Sequence, residues 1–539
     1  MRLLLSLLLF AQTLAFAADR PLAEVAEEAA KKLKAGGIAT GESVDGKVTL
    51  AGFASPKEKK EDYEGKVLFE IGSITKVFTG LLLAQAVVEG KVTLDTPIAK
   101  LLDAKLEFKD PRIAAITLKQ LSTHTSGLPR LPGNHGAGVR EGDPYAAYDE
   151  KLMVEFLTQA RLKGEAPFPC SYSNLGVGLL GHLLGKVYSM SWEDAVVKKI
   201  CVPLGLQDTR MTITGSKLPL APPNQEEKRV KSWHFDAVAG AGALRSTTAD
   251  LVKFGQALAK PESTPLAQAI ALAMQPHAET EVGGHIGLGP FIGKQYGQTS
   301  WTHSGGTGGY RTGLQVIPEK NIVRVTLINN TQMDGMSVIS QTHVEPPRVM
   351  PKEVTLGAAV MQEYPGVYEM GPDSKFTMLM HEGQLWGRLT GQSFLPMFAK
   401  EKDHFFLKVV NAEIRFNREE DRVKSLTLFQ NGREKVWRRT EAPAPKITLH
   451  TAEELKPYAG TYFVLGMKKM ALTVRGRTLY AQMEDQGAAP VFDMGGERFE
   501  FDVVEAALVF NRNADGKILG LTLLQNGLVL PAVKEVKKK

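Results

Sequence analysis

Cysteine is scarce in this chain, two residues in 539, Cys170 and Cys201, which excludes a disulfide-knit small scaffold and a cysteine-rich metal module. An excess of one charge is missing too: 65 Lys plus Arg stand against 59 Asp plus Glu, a net +6. No basic stripe of the kind that neutralises a phosphate backbone is present, so nucleic acid is not an expected partner. The single lysine cluster, Lys534 with Lys537, Lys538 and Lys539, reads as a solvated tail. None of the 11 histidines falls in an H-E-x-x-H run or a Cys/His cluster, so no metal and no other cofactor is expected. A G-x-S-x-G nucleophile elbow is absent as well, which argues against an α/β-hydrolase. Only the N-terminus carries a long apolar run, and Gln12 and Thr13 interrupt it before the ~18–20 residues that a membrane span requires.

That N-terminus instead reads as an export signal over 1–17: Arg2, an apolar stretch, then Ala15-Phe16-Ala17 in the A-x-A arrangement that a signal peptidase cuts. The expected mature protein is therefore periplasmic or secreted, without a stable membrane span, in a compartment where thiols oxidise. At ~100–200 residues per domain the length predicts two to four domains. No oligomeric state follows from the sequence.

Residues 21–34 place Glu early and Lys late, with Glu27/Lys31 and Glu28/Lys32 one turn apart, as a dipole-matched helix should. Strand-like runs at 38–40 and 48–53 flank Asp45-Gly46, a tight-turn pair. Nearly all-apolar helices are expected at 78–88, 174–188 and 191–200, and strands at 314–317 and 322–328 across Pro318–Asn321. This order suggests an α/β (α+β) domain over 18–345, an antiparallel sheet flanked by helices. Beyond Glu345-Pro346-Pro347 the tail repeats itself: Tyr364-Pro365-Gly366-Val367-Tyr368 recurs 94 residues later as Tyr458-Ala459-Gly460-Thr461-Tyr462, and Phe416-Asn417-Arg418 as Phe510-Asn511-Arg512. Leu426-Thr427-Leu428 with Gln430-Asn431-Gly432 likewise recurs as Leu521-Thr522-Leu523 with Gln525-Asn526-Gly527. Alternation at Leu385, Gly387, Leu389 and at Leu479, Ala481, Met483 gives each copy one buried face. Two small all-β antiparallel barrels are expected, over 358–440 and 447–539, joined by the proline-rich 441–445 segment.

Three separated motifs carry chemistry. In Phe69-Glu70-Ile71-Gly72-Ser73-Ile74-Thr75-Lys76, Ser73 and Lys76 fall on one helical face at a helix start, where free N–H groups favour a developing oxyanion. In Tyr172-Ser73-type company, the segment Tyr172-Ser173-Asn174 offers a phenol that beside a cationic lysine becomes accessible as phenolate, and an amide, Asn174, that can orient Lys76 and a substrate. The run Trp301-Thr302-His303-Ser304-Gly305-Gly306-Thr307-Gly308-Gly309-Tyr310 lets a substrate backbone approach a strand edge. As a phosphate loop it fails for want of a following Lys-Ser/Thr. Gly176-Val177-Gly178-Leu179-Leu180-Gly181 fits G-x-G-x-x-G but follows no strand, so close helix packing explains it. His124 reads as structural.

In this order, with Thr123–Pro129, Pro203–Leu206 and Gly242–Thr247 as flanks, the motifs over about 21–340 resemble the serine β-lactamase and penicillin-binding protein superfamily, in its class C and esterase-like branch. The tail is similar to the lipocalin-like barrels that follow such domains in D-stereospecific aminopeptidases. The resemblance implies Ser73 as nucleophile, Lys76 as its activating partner and Tyr172 as base, with the N–H groups of Ser73 and Gly306 as oxyanion hole. It also implies substrate contacts at Asn174, His303, Ser304 and Gly305. Which of Lys76 and Tyr172 takes the proton stays open, since coupled groups titrate as a pair. His303 stands where most relatives carry lysine. A histidine is only partly charged near neutrality, which weakens the case for carboxylate-bearing substrates and favours esters and peptides recognised otherwise.

The implied activity is an exported serine hydrolase working through an acyl-enzyme on D-amino-acid peptides or small esters, its partner being a small-molecule or peptide substrate. A class C-type β-lactamase or D-alanyl-D-alanine carboxypeptidase is the alternative within enzymes, and a non-catalytic binder of peptidoglycan fragments the alternative outside them. The intact Ser73, Lys76, Tyr172 and Asn174 set speaks against the binder. Finally, helices at 174–188 and 191–200 folded back as a hairpin would bring Cys170 and Cys201 together, so a disulfide is expected there.

Overall fold

The computed structural model describes residues 19–59, 63, 67–140, 142–280, 284–295, 297–343, 349–371, 374–430, 433–465, 469–484, 487–525 and 527–535. The export signal, the 345–347 joint, the Asn431-Gly432 turn, Asn526 and the last lysines lie outside the described residues. The chain forms two compact units, 1–348 and 349–539.

The first unit is built on one antiparallel sheet whose strands are β1 (Gly37–Val44), β2 (Lys47–Ala54), β3 (Ala278–Glu279), β4 (His285–Ile286), β5 (Phe291–Gln295), β6 (Gln298–Gly306), β7 (Arg311–Ile317) and β8 (Ile322–Ile328). Their spatial order is β2-β1-β8-β7-β6-β5-β4-β3. Asp45 (φ 50°) and Gly46 (φ 84°) make the expected tight turn between β1 and β2, and Asn321 (φ 49°) closes the one between β7 and β8. Helix α1 (Leu22–Ala30) packs Leu22, Val25 and Ala26 with Ile38, Ile328 and Val338. Its Glu27–Lys31 pair forms at 3.0 Å, whereas Glu28 turns to Arg20 at 2.6 Å.

Helix α2 (Thr75–Val88) is apolar on every side and is buried along nearly its whole length, as a helix without a polar face must be. Helix α3 (Asn174–Tyr188) packs against it and against the 239–241 turn. The glycines of the G-x-G-x-x-G run serve that packing: a Cβ on Gly178 would lie 2.7 Å from Val238, and one on Gly181 2.8 Å from the Gly240 Cα.

The expected disulfide is not formed. Cys170 and Cys201 are both thiols; Cys170 Sγ donates to the Thr123 carbonyl at 3.4 Å, and Cys201 is buried in the core. The reason is unequal arm length. At ~1.5 Å per residue the 15 residues of α3 outreach the stretch from Ser191 to Cys201. Moreover, the second helix does not stop at Ile200: Trp192–Val196 continues through a π turn, Val197–Cys201, to Leu204. Cys201 therefore sits mid-helix, well short of the start of α3.

The second unit holds two closed barrels of eight antiparallel strands, Gly366–Arg439 and Gly460–Lys534, each around its own core. The repeated sequence becomes repeated structure. Tyr368 donates its hydroxyl hydrogen to the Tyr364 carbonyl at 2.8 Å, and Tyr462 does the same to Tyr458 at 2.7 Å. Arg418 binds Asp403 in the first copy, and Arg512 binds Glu497 in the second. Phe416 and Phe510 each lie edge-on or tilted against the paired tyrosines. The barrels share a small apolar cluster of Leu379, Phe394, Leu449 and Phe492, beside an Arg388–Asp502 ion pair. Among the described residues no helix is long and apolar enough to cross a membrane.

Candidate active site

Ser73 is positioned by the strand that precedes it. Phe69 and Glu70 pair with Ser246 and Arg245; the buried Glu70 carboxylate accepts from the Trp233 N–H at 2.9 Å and faces the Arg245 guanidinium at 3.5 Å. The chain then turns through Gly72–Ile74 into α2, which leaves Ser73 half exposed and Lys76 one turn deeper, with 1% of its surface accessible. The end of β6 presses against this turn. Gly72 takes φ +50°, and a Cβ there would stand 2.6 Å from the Gly306 nitrogen, while one on Gly305 would collide with the Ile71 carbonyl and Thr312 Oγ1. Only glycine allows the two segments to approach so closely.

Lys76 Nζ lies 3.1 Å from Ser73 Oγ, 2.9 Å from Asn174 Oδ1 and 2.6 Å from the Ala241 carbonyl. No carboxylate reaches it among the described residues. Burial, with Arg130 adding to it, holds its pKa well below the ordinary lysine range. A neutral amine has two N–H donors and one lone pair, and the two carbonyl oxygens can only accept. Both donors are thereby committed to Asn174 and Ala241, and the lone pair is left toward the Ser73 hydroxyl. The expected lysine cation beside a phenolate is thus overturned. Burial also pushes Tyr172 up to about 12, against the opposing pull of its side-chain hydrogen bond with Ser73. The site keeps amine and phenol both neutral.

Tyr172-Ser173-Asn174 is stitched to the 123–130 loop. Ser173 Oγ caps α3 by accepting from Gly176 N–H at 2.9 Å, and donates to the Pro129 carbonyl at 2.7 Å. His124 Nδ1 accepts from the Ser173 N–H at 3.2 Å, and its ring lies 4.4 Å from that of Tyr172. That is the structural part read for it in the sequence.

His303 departs from expectation. It is 2% exposed, its Nδ1 donates to the Ser304 carbonyl at 2.6 Å, and its Nε2 is buried without a partner. Burial, and the nearby Lys76, take its pKa down to about 3. It is neutral at neutral pH rather than partly charged. Ser304 is exposed and Gly305 buried on the same strand.

Two site groups carry no motif and were not read from the sequence: the Ala241 carbonyl, and Tyr145, whose hydroxyl accepts from Asn174 Nδ2 at 3.3 Å. Tyr145 stacks on Phe235 at 4.8 Å and meets Trp233 edge-on at 5.5 Å, giving the site an aromatic wall. The G-A-L-R-S-T run that begins one residue after Ala241 was the available signal for the first. For the second there was only its place in the 131–148 loop.

The beta-lactamase family model matches residues 22–339. The chain belongs to the beta-lactamase family. It is 24% identical over 429 residues to "Penicillin-binding protein 4*" of Bacillus subtilis, an alignment covering 72% of this chain and 91% of that protein. To the "D-alanyl-D-alanine-carboxypeptidase/endopeptidase AmpH" of Escherichia coli K12 it is 29% identical over 292 residues, 50% of this chain and 73% of the relative. Its fold is similar to that of a class C beta-lactamase from Rhodobacter sphaeroides, with a TM-score of 0.50 and 21% identity over 60% of this chain and 96% of that one. As a beta-lactamase family member the protein is a serine hydrolase, and its first unit has the fold of class C enzymes.

Proposed function

We propose that this beta-lactamase family member is exported and cleaves amide or ester bonds in peptides containing D-amino acids, or in small esters, through an acyl-enzyme on Ser73. The observation that carries the reading is the Lys76 amine, its two N–H groups held by Asn174 and Ala241 and its lone pair turned to Ser73. Lys76 accepts the Ser73 proton as Oγ attacks the carbonyl carbon, and the N–H groups of Ser73 and Gly306 receive the oxyanion. Tyr172, hydrogen-bonded to Ser73, passes a proton to the leaving nitrogen or oxygen as the tetrahedral intermediate collapses. Water then attacks the acyl-enzyme with Tyr172 and Lys76 exchanging the proton in reverse. A relative named as a carboxypeptidase/endopeptidase of D-alanyl-D-alanine supports the D-peptide side of the reading, and Ala15-Phe16-Ala17 supports export.

The test is covalent labelling by a fluorophosphonate or a fluorescent penicillin, followed by turnover on D- and L-amino-acid anilides, esters and a cephalosporin. Wild type is expected to gain the adduct mass on the peptide containing Ser73. Ser73→Ala is expected to lose labelling and to lower kcat by about 10⁴-fold or more. Residual activity within tenfold of wild type removes Ser73 as nucleophile.

A further inference from the structure

Relatives with a lysine at the position of His303 have a fixed cation there. Here the site has a buried, neutral imidazole whose Nδ1 is already engaged, so an anionic end of a substrate needs another receptor. One stands at the mouth. Arg130 is exposed, its guanidinium carbon is 5.1 Å from the centre of the Tyr172 ring, and among the described residues no carboxylate pairs with it. Its backbone is fixed to the catalytic segment: the Asn174 and Leu175 N–H groups at the start of α3 donate to the Arg130 carbonyl at 3.0 and 3.3 Å. The neighbouring Pro129 carbonyl accepts from Ser173 Oγ. The arginine is therefore carried on the same rigid piece as Tyr172 and Asn174.

We infer that Arg130 is the receptor for a free carboxylate on the substrate, which makes acyl donors ending in an unblocked D-amino acid the preferred class over amide-capped peptides and neutral esters. The inference rests on the hydrolase reading of Ser73 given above. A guanidinium presents paired N–H donors in the geometry of a carboxylate, and a substrate anion would replace bulk water there rather than a protein acid. The groups around it, Lys76, Tyr145, Tyr172 and His124, are all neutral or basic. Nothing on these sides repels an incoming anion.

The test uses the full-length enzyme and two matched substrates, a peptide ending in D-Ala-D-Ala with a free carboxylate and the same peptide ending in a carboxamide. For Arg130→Gln, kcat/KM on the acid is expected to fall by about 10- to 100-fold more than on the amide, chiefly through KM. Arg130→Lys should recover part of that ratio, and 0.5 M NaCl should shrink it in wild type. Any general effect of the arginine on Lys76 alters both substrates alike and cancels in the ratio. An equal change on both, or no change, overturns the assignment. So does an acid-selective loss in Arg311→Gln with none in Arg130→Gln, since Arg311, half buried against Gly306 and donating to the Thr307 and Tyr310 carbonyls, is the other guanidinium near the site. Loss of penicillin labelling at Ser73 in the wild type would instead count against the hydrolase reading.

Discussion

In the barrel unit the buried charged side chains face carboxylates: Arg388 meets Asp502, and His404 lies between Glu401 and Glu413. In the catalytic unit Lys76, His124 and His303 are as deeply buried, yet their partners are hydroxyl, amide and backbone groups. A buried ion without a counter-ion gives up its charge. The barrels accordingly keep a cation as an architectural tie, and the catalytic core keeps a free base. The absence of an acid beside Lys76 is what makes the amine useful.

The comparison can be broken at its two buried cations. Lys76→Met is expected to lower kcat by about 10³-fold, the usual reach of a general base, and to raise stability. The sign follows from proton binding. An unfolded lysine titrates near ~10.4, and the native amine titrates lower. Between these values the unfolded chain holds a proton that the native state lacks, so wild-type stability rises with pH toward 10.4, and the cost of the neutral amine is greatest at low pH. The gain in the variant should be largest in acid and vanish near pH 10, as read from denaturation midpoints across pH. His303, lowered to about 3, adds a second slope: stability is lost as pH falls from about 6.5 to 3.

Arg388→Met tests the other side. It strands Asp502 beside Phe394 and Phe492, and is expected to destabilise the barrel transition by about 3–5 kcal/mol in calorimetry. Opposite signs at Lys76 and Arg388 would establish the contrast; the same sign at both would end it. The smallest effect concerns the repeated tyrosines. Tyr368→Phe removes the donor to the buried Tyr364 carbonyl at a cost of about 1–2 kcal/mol. Tyr462→Phe should cost the same, and the two should add, because the cores are separate.

Much of this was legible in the chain. Helix 174–188 matches its apolar period residue for residue, the Asp45-Gly46 turn follows from local conformational preference, and the two barrels follow from the repeat. The S-x-x-K spacing puts Ser73 and Lys76 together because three residues along a helix is one turn, whatever surrounds it. Charge state was not legible. It depends on what lies over Lys76 and His303 from distant segments, and spacing along one helix says nothing of burial. Cys170 and Cys201 failed for a related reason: the helix through Cys201 runs on to Leu204 by way of a π turn that no periodicity announces. Ala241 contributes only a backbone oxygen, which every residue has.

Each barrel closes by joining its first strand to its last, Tyr368 opposite Arg439 and Tyr462 opposite Lys534. On a ribosome the first barrel thus has every strand it needs before Gly460, the start of the second, has been synthesised. Two copies with the same tyrosine latch and the same Phe-Asn-Arg strand would otherwise be natural partners for strand exchange, a characteristic failure of tandem repeats. Closure within each copy, in the order of synthesis, seals the earlier barrel's edges before its look-alike exists. Refolding from denaturant, where both copies are present from the first moment, has no such protection.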